Sequence, residues 1–218
     1  MMKKNIVSGL VAAALLSAGF ASSVAAHQAG DIIVRAGAVV VAPNESSDDV
    51  AGFGEFEVSN NTQLGLNFGY MLTDNIGIEL LAATPFSHDV SLNIGGVSTK
   101  IAETKQLPPT LVVQYYFGSA DSKLRPYIGA GVNFTNFFDN EFTNDLDGAL
   151  TDLSLSNSWG LAAQVGIDYQ VNKNWLVNAS VWYAQIDTDV KFNLGDAPVT
   201  IQTDIDPWVY MVSVGYTF

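Results

Sequence analysis

The stretch Trp208-Val209-Tyr210-Met211-Val212-Ser213-Val214-Gly215-Tyr216-Thr217-Phe218 decides the fold. Trp208, Tyr210, Val212, Val214, Tyr216 and Phe218 fall on one face, and Val209, Met211, Ser213, Gly215 and Thr217 on the other. That two-residue period belongs to a β-strand. The first face is wholly apolar, with aromatics at both ends and aliphatics between. The second is small or weakly polar, apart from Val209 and Met211. A soluble antiparallel strand turns its apolar face to a core. A strand of an outer-membrane barrel turns it to lipid, with aromatic girdles at the two water boundaries. The aromatic–aliphatic–aromatic order favours lipid.

Working back along the chain, the same alternation recurs at about residues 32–41, 63–72, 76–86, 110–117, 125–137, 159–169 and 175–186. Short polar turns at 73–75, 118–123 and 171–174 alternate with long connections. Eight antiparallel strands with alternately short and long connections describe a transmembrane β-barrel with periplasmic turns, extracellular loops and both termini in the periplasm. Gly95-Gly96 marks a turn in the second long connection, which reads as a hairpin extended above the membrane. In the third, Leu146, Leu150 and Leu153 at helix-like spacing predict a short surface helix.

Residues 1–26 read as a secretory signal, leaving 27–218 as the outer-membrane domain. Lys3 and Lys4 precede a mostly apolar run, and Val24-Ala25-Ala26 is a small-residue cleavage site. No later apolar run approaches the ~18 residues of a helical span. Only helices and closed barrels satisfy their backbone in lipid. Losing the leader reduces the nine basic residues to seven against 22 acidic ones, a net charge of −15. That sign excludes nucleic acid as a partner. With no cysteine, thiol chemistry and disulfide staples are unavailable. No cofactor is implied.

The inward set is Arg35, Asn67, Glu79, Leu81, Gln114, Tyr116, Asn133, Gln164, Asp168, Asn178 and Trp182. An eight-stranded barrel is just wide enough for its side chains to fill, so this is no wide porin. Arg35, Glu79, Gln114, Gln164 and Asp168 are expected to form a polar lumen network, with Arg35 paired to Glu79 or Asp168, because a charge in a narrow barrel needs a partner or water. Leu81 and Trp182 are bulky apolar exceptions. They are expected to narrow an apolar passage that hydrated ions avoid. The competing reading is plain packing above a structural plug. Ser87-His88-Asp89 has the composition of a catalytic triad. Adjacent residues of an extended chain point to opposite sides, so no relay forms, and the chain is not expected to be an enzyme. Asp48-Asp49 and the acidic loop 139–152 are solvated loop first, and only second a site for cations shared with lipopolysaccharide.

Several stretches resemble the OmpW family of small outer-membrane proteins: residues 60–66 (NNTQLGL), 73–77 (TDNIG), 79–86 (ELLAATPF), 107–110 (LPPT), 125–131 (RPYIGAG) and the closing Tyr216-Thr217-Phe218. The resemblance covers nearly all of residues 27–218 and is weakest in the acidic loops. It implies an eight-stranded outer-membrane barrel and a role in the passage of small hydrophobic molecules. Expected partners are outer-membrane lipid and lipopolysaccharide, small hydrophobic solutes, and the barrel assembly machinery through the Phe218 strand. The alternative is a structural or surface-recognition barrel, an adhesin or a docking site for phage or bacteriocin.

Overall fold

The computed structural model describes residues 27–48, 55–94 and 97–218. The expected leader at 1–26, part of the first long connection at 49–54, and the expected Gly95-Gly96 turn lie outside the described residues.

Among the described residues fifteen strands follow one another: β1 (Ile32–Ala42), β2 (Ser46–Ser47), β3 (Phe56–Val58), β4 (Asn61–Met71), β5 (Ile76–Ala83), β6 (Phe86–Ile94), β7 (Val97–Leu107), β8 (Thr110–Tyr116), β9 (Leu124–Phe142), β10 (Leu150–Leu155), β11 (Ser158–Gln170), β12 (Trp175–Ala184), β13 (Asp187–Leu194), β14 (Ala197–Asp204) and β15 (Trp208–Thr217). Eight of them, β1-β4-β5-β8-β9-β11-β12-β15, close into an antiparallel barrel. Closure is made by the first and last strands, from Ile33 opposite Thr217 to Ala42 opposite Trp208. Closing the sheet removes the unpaired edge that an open sheet would present.

Side-chain chemistry sets the short turns. The Thr73 hydroxyl accepts the backbone N–H of Asn75 and of Ile76 at 3.2 and 3.0 Å. The Asn172 side chain does the same for Asn174 and Trp175, at 3.0 Å each. Such residues close turns because their side-chain oxygens reach backbone donors two or three residues on.

Outside, the alternation lays Leu64, Phe68, Val113, Ile128, Val165, Val177 and Val212 into one exposed apolar belt. Trp159 and Leu161 are 72% and 66% exposed. A soluble protein would hide such side chains, and a belt of this extent marks a lipid surface. Trp159 against Phe134 and Tyr183 against Trp208 cap it on one rim; Trp175 against Tyr216 and Tyr115 against Phe117 cap it on the other.

The long connections are built as strands too. Above the belt β9 continues and pairs with β7, which pairs with β6, with β3 at the edge. A second sheet, β10-β13-β14-β2, faces it, and apolar side chains from both sheets meet between them. The expected helix around 146–153 is instead a turn leading into β10. Leu146, Asp147 and Gly148 all have positive φ, as does Asp152, a backbone no right-handed helix adopts.

Candidate functional site

The barrel interior is layered. At the short-turn end, Arg35 on β1 hydrogen-bonds Glu79 on β5 and Asp168 on β11, and its Nη2 donates to the Tyr116 hydroxyl at 3.0 Å. Gln114 and Gln164 each donate to Glu79 Oε1 at 2.9 Å, and Gln114 donates to Gln164 at 2.8 Å. Asn178 donates to Asp168 at 2.7 Å and to the Tyr127 hydroxyl at 2.8 Å. Every one of these residues is buried. Buried charges persist only when paired and hydrogen-bonded, and here several neighbours share that task.

Below this layer, Arg125 lies opposite Asp168 in register. Its guanidinium donates to the carbonyls of His27 and Asp74 at 3.2 and 2.7 Å and covers the Tyr116 ring at 5.2 Å. The His27 ring stands edge-on to Tyr116 and 3.2 Å from Asp168. Ile33, Met71 and Leu176 fill the remaining space with Tyr116 and Tyr127. Tyr127 can lie across the lumen because Gly166 faces it. A Cβ at Gly166 would fall 2.3 Å from the Tyr127 ring. This end of the barrel is filled.

One layer up, the interior turns apolar. Leu81 and Trp182 sit together with Val39, Val41, Phe86, Val112, Ala162, Val209 and Met211. Leu81, Trp182, Val39, Val41, Phe86 and Val209 line a cavity of about 20 Å³ that also meets Gln106, Pro108 and Ile186. Beside it the wall is interrupted. Pairing of β5 with β8 ends at Leu81–Thr110, and pairing of β6 with β7 starts at Phe86–Gln106. Between those points, residues 82–85 and 107–109 have no ladder partner across that seam. Pro108 and Pro109 carry no N–H to offer one, nor does Pro85 on the other side of the gap.

Higher still comes a neck of about 30 Å³ bordered by His88, Gln106, Phe137, Thr188, Thr203 and Ile205. Above it, between the two extension sheets, lies an apolar cavity of about 150 Å³ lined by Phe56, Leu92, Ile101, Phe142, Leu150 and Phe192, among others. The cavities share walls: Val90, Thr104 and Val190 border both the upper cavity and the neck, and Gln106 borders both the neck and the lower cavity.

The structure thus brings Arg35, Glu79, Gln114, Gln164 and Asp168 into one network, with Leu81 and Trp182 directly above it. The apolar layer is broader than the two exceptions singled out from sequence, since seven more side chains complete it. Arg125, His27 and the neck residues Gln106 and Thr203 escaped the sequence reading. The side chains of Ser87, His88 and Asp89 turn to separate partners: Ser87 bonds Glu103, His88 meets Ser59 and Gln106, and Asp89 pairs with Lys100.

The sequence profile of the OmpW family matches residues 28–218. Outer membrane protein W of Escherichia coli (strain K12) is 52% identical over 219 residues, covering 100% of both chains. The crystal structure of the outer membrane protein OprG from Pseudomonas aeruginosa superposes with a TM-score of 0.82 at 42% identity, covering 89% of this chain and 99% of that one. A more distant relative is the dibenzothiophene metabolism operon protein PahQ of Pseudomonas aeruginosa. It is 26% identical over 175 residues, 76% of this chain and 75% of that one. With its closed eight-stranded barrel and lipid-facing belt, the chain belongs to the OmpW family of the outer membrane.

Proposed function

We propose that this barrel is a passive pathway by which small hydrophobic molecules cross the lipopolysaccharide leaflet. The observation that carries the reading is the vertical order of the interior: an apolar upper cavity, a neck, an apolar layer holding Leu81 and Trp182, and a charged, filled end beneath. An apolar solute gains by entering the first three layers and would lose by displacing the fourth, where it satisfies no hydrogen bond. Straight passage along the barrel axis is therefore costly. The interruption between residues 82–85 and 107–109 offers a sideways exit into the membrane, level with the apolar layer. Leu81 and Trp182 then form the floor and side of the turn, and the Arg35 network seals the axis against ions. A relative named for an operon of dibenzothiophene metabolism fits a fused-ring aromatic as one kind of cargo. Phe218 donates its N–H to the Ile32 carbonyl at 2.9 Å, and the strand ending there is our choice for the contact with the barrel assembly machinery.

Uptake of a hydrophobic fluorophore such as N-phenyl-1-naphthylamine by intact cells tests the reading. Cells making the protein should take it up faster than cells lacking it. Ala83→Phe, which fills the lower cavity, should return uptake to the control level at equal amounts of folded barrel. Undiminished uptake by Ala83→Phe would sink the proposal.

A further inference from the structure

The neck between the two apolar cavities has a hydrocarbon surface, yet the hydrogen-bond inventory of its wall does not close. His88 Nδ1 lies 2.6 Å from the Ser59 carbonyl. A carbonyl only accepts, so Nδ1 carries the proton and Nε2 is left as an acceptor. Gln106 Nε2, 3.0 Å from His88 Nε2, donates to it. That contact fixes which way the Gln106 amide points, because the flipped amide would set two acceptors against each other. Its Oε1 is then turned away from His88 and has no protein partner among the described residues, although Gln106 is only 2% exposed. Across the neck, the hydroxyl of Thr203 is likewise buried and without a protein partner. The other hydroxyls there are satisfied: Thr188 donates to the Ser156 carbonyl and Thr104 to Asn140.

Two unpaired oxygens therefore sit in the wall of a space of about 30 Å³, just behind its hydrocarbon surface, room for one small group. A buried acceptor left unmade is costly, whereas one that meets a donor is not. A pure hydrocarbon crossing the neck leaves both oxygens unmade. A solute of the same shape bearing one hydroxyl or N–H supplies a donor that one of them lacks. We infer that Gln106, oriented by His88, and Thr203 form a hydrogen-bonding station that makes the passage favour apolar ring compounds carrying a single hydroxyl or N–H over the matching hydrocarbons. This rests on the passage reading above and specifies which solutes it serves. The upper cavity supplies affinity for the ring, and the station supplies discrimination.

The test compares 1-naphthol with naphthalene, binding to the full mature chain in lipid nanodiscs by equilibrium dialysis, with empty nanodiscs subtracted. The wild-type protein should favour 1-naphthol by about fivefold, the size of one neutral hydrogen bond. Gln106→Leu and Thr203→Val should each cut that preference below about twofold by weakening the binding of 1-naphthol. Thr203→Val keeps side-chain shape and serves if Gln106→Leu fails to give a heat-modifiable folded band. Saturable binding of both compounds with no preference, or a preference that survives in the folded variants, overturns the station and leaves the passage standing. Saturable binding of neither compound overturns both.

Discussion

Arg35 holds two buried carboxylates, Glu79 and Asp168, and the consequence of removing it follows from charge alone. In Arg35→Met both acids lose their principal cation. Breaking a buried pair from one side costs about 3–5 kcal/mol, whereas replacing the whole constellation by apolar groups is often neutral. The midpoint of urea unfolding in micelles should therefore fall sharply in Arg35→Met. Much of the loss should return when Glu79→Met and Asp168→Leu are added. If the single variant is as stable as the parent, the network does not close the barrel end. His88, in the extension above the belt, makes a pH-dependent contribution. Burial holds its imidazole below the usual range, against the opposing pull of the Ser59 carbonyl, Asp89 and Glu45. An unfolded histidine takes a proton near pH 6.5, where the native ring stays neutral. The folded-state value is the depressed one, so the effect is absent above pH 6.5 and destabilises as pH falls below it, by at most about 1.4 kcal/mol per pH unit. Amide exchange in β6 should slow less on acidification below pH 6.5 than the intrinsic base-catalysed rate does, and His88→Gln should restore the intrinsic slope. Inward residues such as Arg35 and Glu79 were legible in the sequence because the lipid face fixes strand parity, and parity then assigns every second residue to the lumen. Gln106 and Thr203 were not, since above the membrane no lipid face sets the reference. His88 was weighed only as a catalytic base.

At the scale of elements, two departures from strict alternation explain most of what the sequence concealed. β5 turns Gly77, Glu79, Leu81 and Ala83 inward, all odd numbers; β6 turns Phe86 and His88 inward, both even. The change of parity falls at residues 84–85, so one long predicted strand, 76–86, becomes two with a break. In β10 the register shifts between Thr151 and Ser154. That bulge puts Leu150, Leu153 and Leu155 on one wall of the upper cavity. A three-residue step within a strand thus imitates helical spacing, and this is why the leucines suggested a helix. Bulges also re-aim side chains at functional places, and both departures border the cavities. The break at 84–85 and Pro108-Pro109 together leave the seam unpaired. Pro108→Ala with Pro109→Val restores two N–H donors and adds a strand-favouring residue. The β5–β8 ladder should then lengthen and fluorophore uptake should fall severalfold, while the barrel still migrates as a folded, heat-modifiable band. Unchanged uptake with a lengthened ladder would place the exit elsewhere.

The whole molecule divides at the upper girdle into two parts, each with its own apolar cluster. Below it, eight strands are closed by their own ladder around the Arg35 network and the Leu81–Trp182 layer. Above it, the two extension sheets share the apolar core of Phe56, Leu92, Ile101, Leu150, Val190 and Phe192. Because the barrel closes without β13 and β14, replacing residues 188–203 by a short Asn-Gly turn should spare assembly in the outer membrane. Such a turn suits antiparallel strands, and the β12–β15 pairing from Trp175–Tyr216 to Tyr183–Trp208 remains to hold them. The same cut removes Val190, Phe192 and Ile201 from the upper core, and with Thr203 one of the two oxygens of the neck. If the molecule is a pathway, the folded, shortened barrel should lose both fluorophore uptake and saturable naphthalene binding, since the cavity that first receives the solute is gone. If it is a recognition barrel, the cut should abolish adsorption of a phage or bacteriocin that uses it while uptake stays at the wild-type rate. The lipid-facing alternation from Trp208 to Phe218 is identical under both readings. Only a change that leaves the lower barrel whole and opens the upper cavity can separate them.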